Sequence, residues 1–159
     1  MDAGIQCASD RLVSGASHFK RLIVWQLADE LRRAVFKLTA RPAFRRDLKL
    51  HSQTEDALNS VCRNIAEGFG CETHREFARF LRIARRSLNE LQDAFEAAML
   101  LGFITEEDLR VPRQLLRRLF PALGRFIAYL DQTPDQRTKA RRSERGSRGE
   151  DAEKGTDVT

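Results

Sequence analysis

Arg75, Arg79, Arg82 and Arg86 recur at i, i+4, i+7 and i+11. On an α-helix that spacing sets four guanidinium groups within about 40° of one direction. Each guanidinium donates paired hydrogen bonds to phosphate oxygens, so the stripe suits contact with a nucleic-acid backbone. Arg110, Arg117, Arg118 and Arg125 follow at helical spacing downstream, and Arg32, Arg33 and Lys37 precede it. Two other readings stand beside this one. The arginines form ordinary solvated helix faces, satisfied by Glu72, Glu76, Glu90 or a neighbouring subunit, or they meet an acidic partner of another kind. No motif for reading base edges accompanies them, so sequence-specific recognition is not expected.

Residues capable of catalysis do not assemble in the same way. His18, His51 and His74 are scattered, and no nucleophile, base and orienting acid share a recognisable spacing. Cys62, Cys71 and His74 match no common zinc pattern and lack a fourth ligand. Gly68 and Gly70 lack the strand and the Gly-Lys-Ser/Thr ending of a phosphate loop, and are read as the punctuation that closes a helix. Asn64 and Glu67 lie one turn apart. Without a nucleophile or metal set beside them they suit a structural role, as a cap, an inter-helix hydrogen bond or a salt bridge to Arg82. The expectation is a non-enzyme with no catalytic residue, no metal and no cofactor.

The elements that must position these residues are helical. The first helix is predicted over about Leu22–Ala40, with Leu27, Leu31, Val35 and Leu38 on one face, Trp25 near its start and Pro42 marking its end. The second is predicted to start near Ser52, where Ser52-x-x-Glu55 has the form of a capping box, and to bury Ala57, Leu58, Val61, Cys62 and Ile65. It closes at Gly68 and Gly70. Thr73-x-x-Glu76 opens the third, from about His74 to Leu101, with Phe77, Phe80, Leu81, Ala84, Leu88, Leu91 and Phe95 opposite the arginines, and Gly102 ends it. Thr105 is predicted to cap the fourth, with Glu106, Glu107 and Asp108 at the positive end of its dipole. Its apolar face holds Leu109, Leu116, Leu119, Leu123, Phe126, Ile127 and Leu130. Pro112 falls in its first turn, while Pro121 lies inside and should bend or split it.

Of 159 residues, 42% are hydrophobic and 32% charged, a balance that permits one core under a charged surface. No apolar run approaches the roughly 20 residues of a membrane span, and the first residues do not read as a secretion signal. Three cysteines without a disulfide spacing suit a reducing compartment, so a cytoplasmic protein is expected. The net charge is +5. Residues 131–159 carry seven basic and seven acidic groups, which leaves the whole excess on the folded part, where it attracts polyanions. That terminal stretch is almost without apolar residues. It holds Arg137, Lys139, Arg141, Arg142, Arg145 and Arg148, followed by Glu150, Asp151 and Glu153, a basic arm or a solvating tail.

The segment Asn64-Ile65-Ala66-Glu67-Gly68-Phe69-Gly70, followed by Glu76-Phe77 and by Phe80-Leu81-Arg82-Ile83-Ala84-Arg85-Arg86-Ser87-Leu88-Asn89-Glu90-Leu91, resembles the signature of the 23S rRNA intervening-sequence protein family. Val24-Trp25-Gln26 and Leu101-Gly102-Phe103-Ile104 add to the likeness, which covers about residues 19–130. The resemblance implies a four-helix bundle, homopentameric rings, and kinship with the accessory variability determinant of diversity-generating retroelements, a basic pentamer that binds nucleic acid and a reverse transcriptase. Two positions depart from the pattern. Cys62-Arg63 replaces a small or proline-containing pair, and Arg86 stands where a glycine is common, which either keeps two helices apart or enlarges the basic surface.

The combined expectation is an all-α, antiparallel up-down four-helix bundle over residues 19–131, after a flexible leader at 1–18 and before a disordered tail at 132–159. Its expected role is a non-catalytic, oligomeric nucleic-acid-binding scaffold, with RNA or DNA, its own copies and a reverse transcriptase or other nucleic-acid enzyme as partners. The alternative is a protein-interaction module that ignores nucleic acid.

Overall fold

The computed structural model describes residues 17–133, and these contain five α-helices and no strand. The leader, apart from residues 17 and 18, and the tail beyond Thr133 lie outside the described residues. A 3-10 turn, Phe19–Arg21, leads into α1, Ile23–Thr39. The single turn α2, Pro42–Arg45, is followed by α3, Leu48–Phe69, α4, His74–Leu100, and α5, Arg110–Gln132. The long helices pack α1 on α3, α3 on α4, α4 on α5 and α5 on α1.

The apolar faces meet as their periodicity requires. Leu31, Ile65, Leu81, Ala84, Leu88, Leu91, Leu119 and Leu123 are wholly buried, and Phe77, Phe95, Phe126 and Leu130 nearly so. Phe80 is the exception, half-buried at the rim. Phe77 stands edge-on to both Phe126, at 5.0 Å between ring centres, and Phe69, at 6.4 Å.

Helix boundaries differ from expectation in four places. The helix expected from Ser52 begins a turn earlier, at Leu48, because Asp47 is the cap: its Oδ1 accepts the Leu50 N–H at 2.9 Å, and Leu50 is buried. Ser52 instead donates to Asp56 at 3.0 Å within the helix. Pro42 does not simply stop α1. It opens α2, as proline suits a first helical position, and the turn seats Phe44 fully in the core. Thr105 and Asp108 do form a reciprocal box, with the Thr105 N–H donating to Asp108 Oδ2 at 2.9 Å and the Asp108 N–H donating to Thr105 Oγ1 at 3.3 Å. The Arg110 N–H then reaches only three residues back, to Glu107, so the regular α-helix starts at Arg110. Finally, Pro121 does not split α5, which runs on through it to Gln132.

The glycines divide by role. Gly102 has φ +71°, and beyond it the Phe103 N–H bonds the Ala98 carbonyl at 2.9 Å, a left-handed termination of α4. Gly70 ends α3 in an ordinary right-handed conformation, φ −79°, so it is not the left-handed stop expected there. Gly68 is buried within α3, and a Cβ there would lie 2.5 Å from Phe77 Cδ2 and 2.9 Å from Phe80 Cβ. It is glycine because α4 approaches at that point, not because the chain turns.

Candidate nucleic-acid interface

The α4 stripe is held outward by the same periodicity that buries its other face. Thr73 Oγ1 accepts the Glu76 N–H at 3.1 Å and so starts the helix where the sequence places it. Arg75, Arg79, Arg82 and Arg86 are all exposed. Among the described residues Arg82 alone of the four is engaged, by Asp131 of α5 at 2.6 Å. Arg75, Arg79 and Arg86, together with Arg85, have no carboxylate within ion-pair distance among the described residues. On α5, Arg117, Arg118 and Arg125 are likewise exposed and unpaired among these residues, whereas Arg110 bonds Glu107 at 2.8 Å. The structure therefore leaves free most of the basic groups of α4 and α5 singled out from spacing.

The α1 candidates behave differently. Arg32 and Arg33 both bond the carboxylate of buried Asp29, Arg33 through Nε at 2.8 Å. Their charge is neutralised locally, and Lys37 alone of the three stays exposed without an ion pair among the described residues. The carboxylates engaging candidate arginines are thus Asp29, Asp131 and Glu107, not Glu76 or Glu90. Two more arginines are committed to joining helices. Arg41 at the end of α1 forms a bidentate pair with Asp108, at 2.7 and 2.8 Å, and Arg113 of α5 bonds Glu96 of α4 at 3.1 Å and also Glu106.

These pairs carry a pH dependence. At Asp29, burial pushes the carboxyl up, but the hydrogen bonds from Arg32 and Arg33 outweigh it and hold it below its ordinary value. At Asp108, the hydrogen bond from Arg41, with help from Thr105, lowers the carboxyl well below the usual carboxylate range. A depressed carboxyl contributes stability that is present above its unfolded value near 4 and lost as pH falls through the folded value. Urea midpoints are expected to fall as pH drops below about 4. Asp108→Asn should flatten that fall; an unchanged acid limb in the variant would rule out the Arg41 pair as a contributor.

Asn64 and Glu67 separate. Asn64 is buried, and its Nδ2 donates to the Ser60 carbonyl at 2.8 Å and the Ser60 hydroxyl at 3.1 Å. Ser60 in turn shares a hydrogen bond of 2.9 Å with buried Ser87 of α4, so the motif asparagine supports a polar junction between helices. Glu67 is exposed and pairs only loosely with Arg63, at 3.9 Å. Of the three structural roles the sequence allowed, the salt bridge to Arg82 is not formed, since Arg82 pairs with Asp131 and Glu67 with Arg63. Arg86 also proves exposed, and it is its neighbour Ser87 that faces α3 and bonds Ser60. Burial pushes the Cys62 thiol up to about 11, and Cys71 is shifted in the same direction. Among the described residues no three His, Cys, Asp or Glu side chains gather as a metal site would require, and no helix is long and apolar enough to cross a membrane.

A protein whose described residues are helical, bury one apolar face of each long helix and, among themselves, leave arginines unpaired on the outer faces of two adjacent ones is the class that this fold and site define. The sequence matches the 23S rRNA-intervening sequence protein family over residues 20–124, more than half of the chain, and the protein belongs to that family. No curated protein matches it.

Proposed function

We propose that the protein is a non-catalytic, oligomeric scaffold that holds the phosphate backbone of RNA or DNA on the arginine faces of α4 and α5. The observation that carries this reading is the set of exposed arginines without carboxylate partners among the described residues: Arg75, Arg79, Arg85 and Arg86 on α4, and Arg117, Arg118 and Arg125 on α5. Arg41 and Arg113, by contrast, are tied to acids of their own chain and are not counted in this surface. In this reading the four long helices form an antiparallel up-down bundle. Support comes from pairs that bring the end of one helix to the start of the next, Thr39 with Glu55, Gly68 with Phe77, Glu96 with Arg113 and Asp131 with Arg82 running the opposite way along α4 and α5, and from Arg41 with Asp108, which ties the segment after α1 to the segment before α5. The copies assemble as a homopentamer and serve as accessory to a reverse transcriptase or an rRNA-related process, an extension that rests on family likeness alone.

Arg79→Glu with Arg86→Glu is expected to weaken binding of a labelled single-stranded or duplex oligonucleotide by ~10-fold or more, and to lower the slope of log affinity against log salt by about 2. Arg82 is left unchanged in this test because it holds Asp131. Binding that survives the substitutions, or that ignores salt, overturns the phosphate reading. For assembly, light scattering at micromolar concentration and high salt is expected to give the mass of five chains, and a monomer would refute it. The second reading, a protein-interaction module, is favoured by one feature: Leu48, 78% exposed, and Leu100, 89% exposed, sit at the start of α3 and the end of α4, with Leu101 and Val111 also exposed. An absence of oligonucleotide binding at low salt would select it.

A further inference from the structure

The outer face of α4 changes sign along its length. Arg75, Arg79, Arg82 and Arg86 are followed at the same spacing by Glu90 and Asp93, both exposed and without an ion pair among the described residues. The acidic half opens onto a cleft of about 490 Å³ between α3 and α4, where Asp56 adds a third carboxylate and Ala57, Ala94 and Ala97 put only small side chains on its lining. Arg63 at its edge leans toward Glu67 instead. One helix face therefore presents a basic half and an acidic half whose centres are separated by about 16 Å, eleven residues at 1.5 Å each.

A surface of this kind is complementary to itself when reversed. Two α4 helices crossing antiparallel at the level of Leu88 set Arg86 beside Glu90 of the second copy and bring Arg82, half-exposed while it bonds Asp131, level with Asp93 of the second copy, and the two-fold axis repeats both contacts. No like charges meet on the axis, since Arg86 and Glu90 straddle it. In the same register Arg79 comes level with Glu96 of the second copy, an exposed carboxylate that also bonds Arg113 of its own chain, and the basic end of each face reaches Leu100, the most exposed large apolar side chain among the described residues. Small lining residues leave room for the arginine stems, which are apolar up to the guanidinium.

We propose that the occupant of the α3–α4 cleft is the arginine face of a second copy of this chain, joined by a two-fold, salt-sensitive contact between antiparallel α4 helices. Such a contact is isologous and closed, so it pairs molecules without building a filament. It does not require the nucleic-acid reading, but the two compete for the same arginines, and a polyanion would dissociate the pair.

The test uses the full chain and two charge variants. Arg79→Glu with Arg86→Glu makes the face predominantly acidic, leaving only Arg75 and Arg82, while Glu90→Arg with Asp93→Arg makes it basic throughout. All four side chains are exposed, so folding is expected to be kept and is checked by circular dichroism. At low ionic strength the wild type is expected to sediment at twice the mass of either variant alone, and an equimolar mixture of the two should regain the wild-type mass, because acidic and basic faces then meet. Wild-type mass in either variant alone, or a mixture that stays at the lower mass, overturns the proposal. Oligonucleotide binding separates it from the phosphate reading: the basic variant should lose pairing yet bind at least as tightly as wild type, and the acidic variant should lose both.

Discussion

Gly68→Ala is expected to destabilise the protein by about 1–3 kcal/mol, the cost of overpacking a closed interior. Alanine favours a helix over glycine by roughly 1 kcal/mol, so the local preference runs the other way. Packing decides the sign. The added methyl would lie 2.5 and 2.9 Å from two atoms of the Phe77 ring and 2.9 Å from Phe80 Cβ. The ring is held between Phe69 and Phe126 and is buried, so it has little room to rotate away. Phe80 Cβ moves only with the α4 backbone. The start of α4 must therefore shift from α3, loosening the contact that positions Arg75 and Arg79. Phe77→Leu in the same chain should recover part of the loss, giving a double variant more stable than the sum of the singles. Urea unfolding of the four proteins measures this, and a Gly68→Ala protein as stable as wild type would show that the close approach is not real.

That glycine illustrates which features the sequence made legible. Apolar residues at helical spacing had to find a common interior, so Leu27, Leu31, Val61, Ile65, Leu81, Leu88, Leu119 and Leu123 were readable as core from spacing alone. Gly68, Gly70 and Gly102 looked alike in one dimension, because a left-handed turn and a close helix contact both demand the loss of Cβ. Only packing separates them. Ser52 has the form of a cap in the sequence, but Asp47, which the spacing does not single out, takes that place because the extra turn buries Leu50. Phe44 went unnoticed between helices, where a single turn has no period to read. Asp29 was legible in principle: its spacing to Arg32 and Arg33 is three and four residues, the separations at which helix side chains meet. The partner of Arg82 was not, since Asp131 is 49 residues away and only the packing of α4 on α5 brings it near.

Asn64→Asp separates a structural motif from a chemical one, and it is expected to cost about 2–4 kcal/mol at neutral pH, more than truncation to alanine would. The two side chains have the same shape. The difference lies in what faces them. Asn64 Nδ2 donates to the Ser60 carbonyl, an oxygen that can only accept, at 2.8 Å. A carboxylate oxygen in that place would set acceptor against acceptor in a position only 6% exposed. Ser60 could turn its hydroxyl toward the new charge and offset part of the cost, leaving Ser87 to donate in return. Its carbonyl has no such option. Burial and the repelling carbonyl both raise the pKa of the introduced carboxyl above its unfolded value, so the folded variant binds a proton more tightly than the unfolded chain. Its deficit against wild type must then shrink as pH falls, because the protonated carboxyl donates where the amide did. Urea midpoints of the two proteins at pH 7 and pH 5 decide the matter: equal stability at pH 7, or a gap that widens toward pH 5, would mean that the asparagine is not holding α3 to α4 through Ser60.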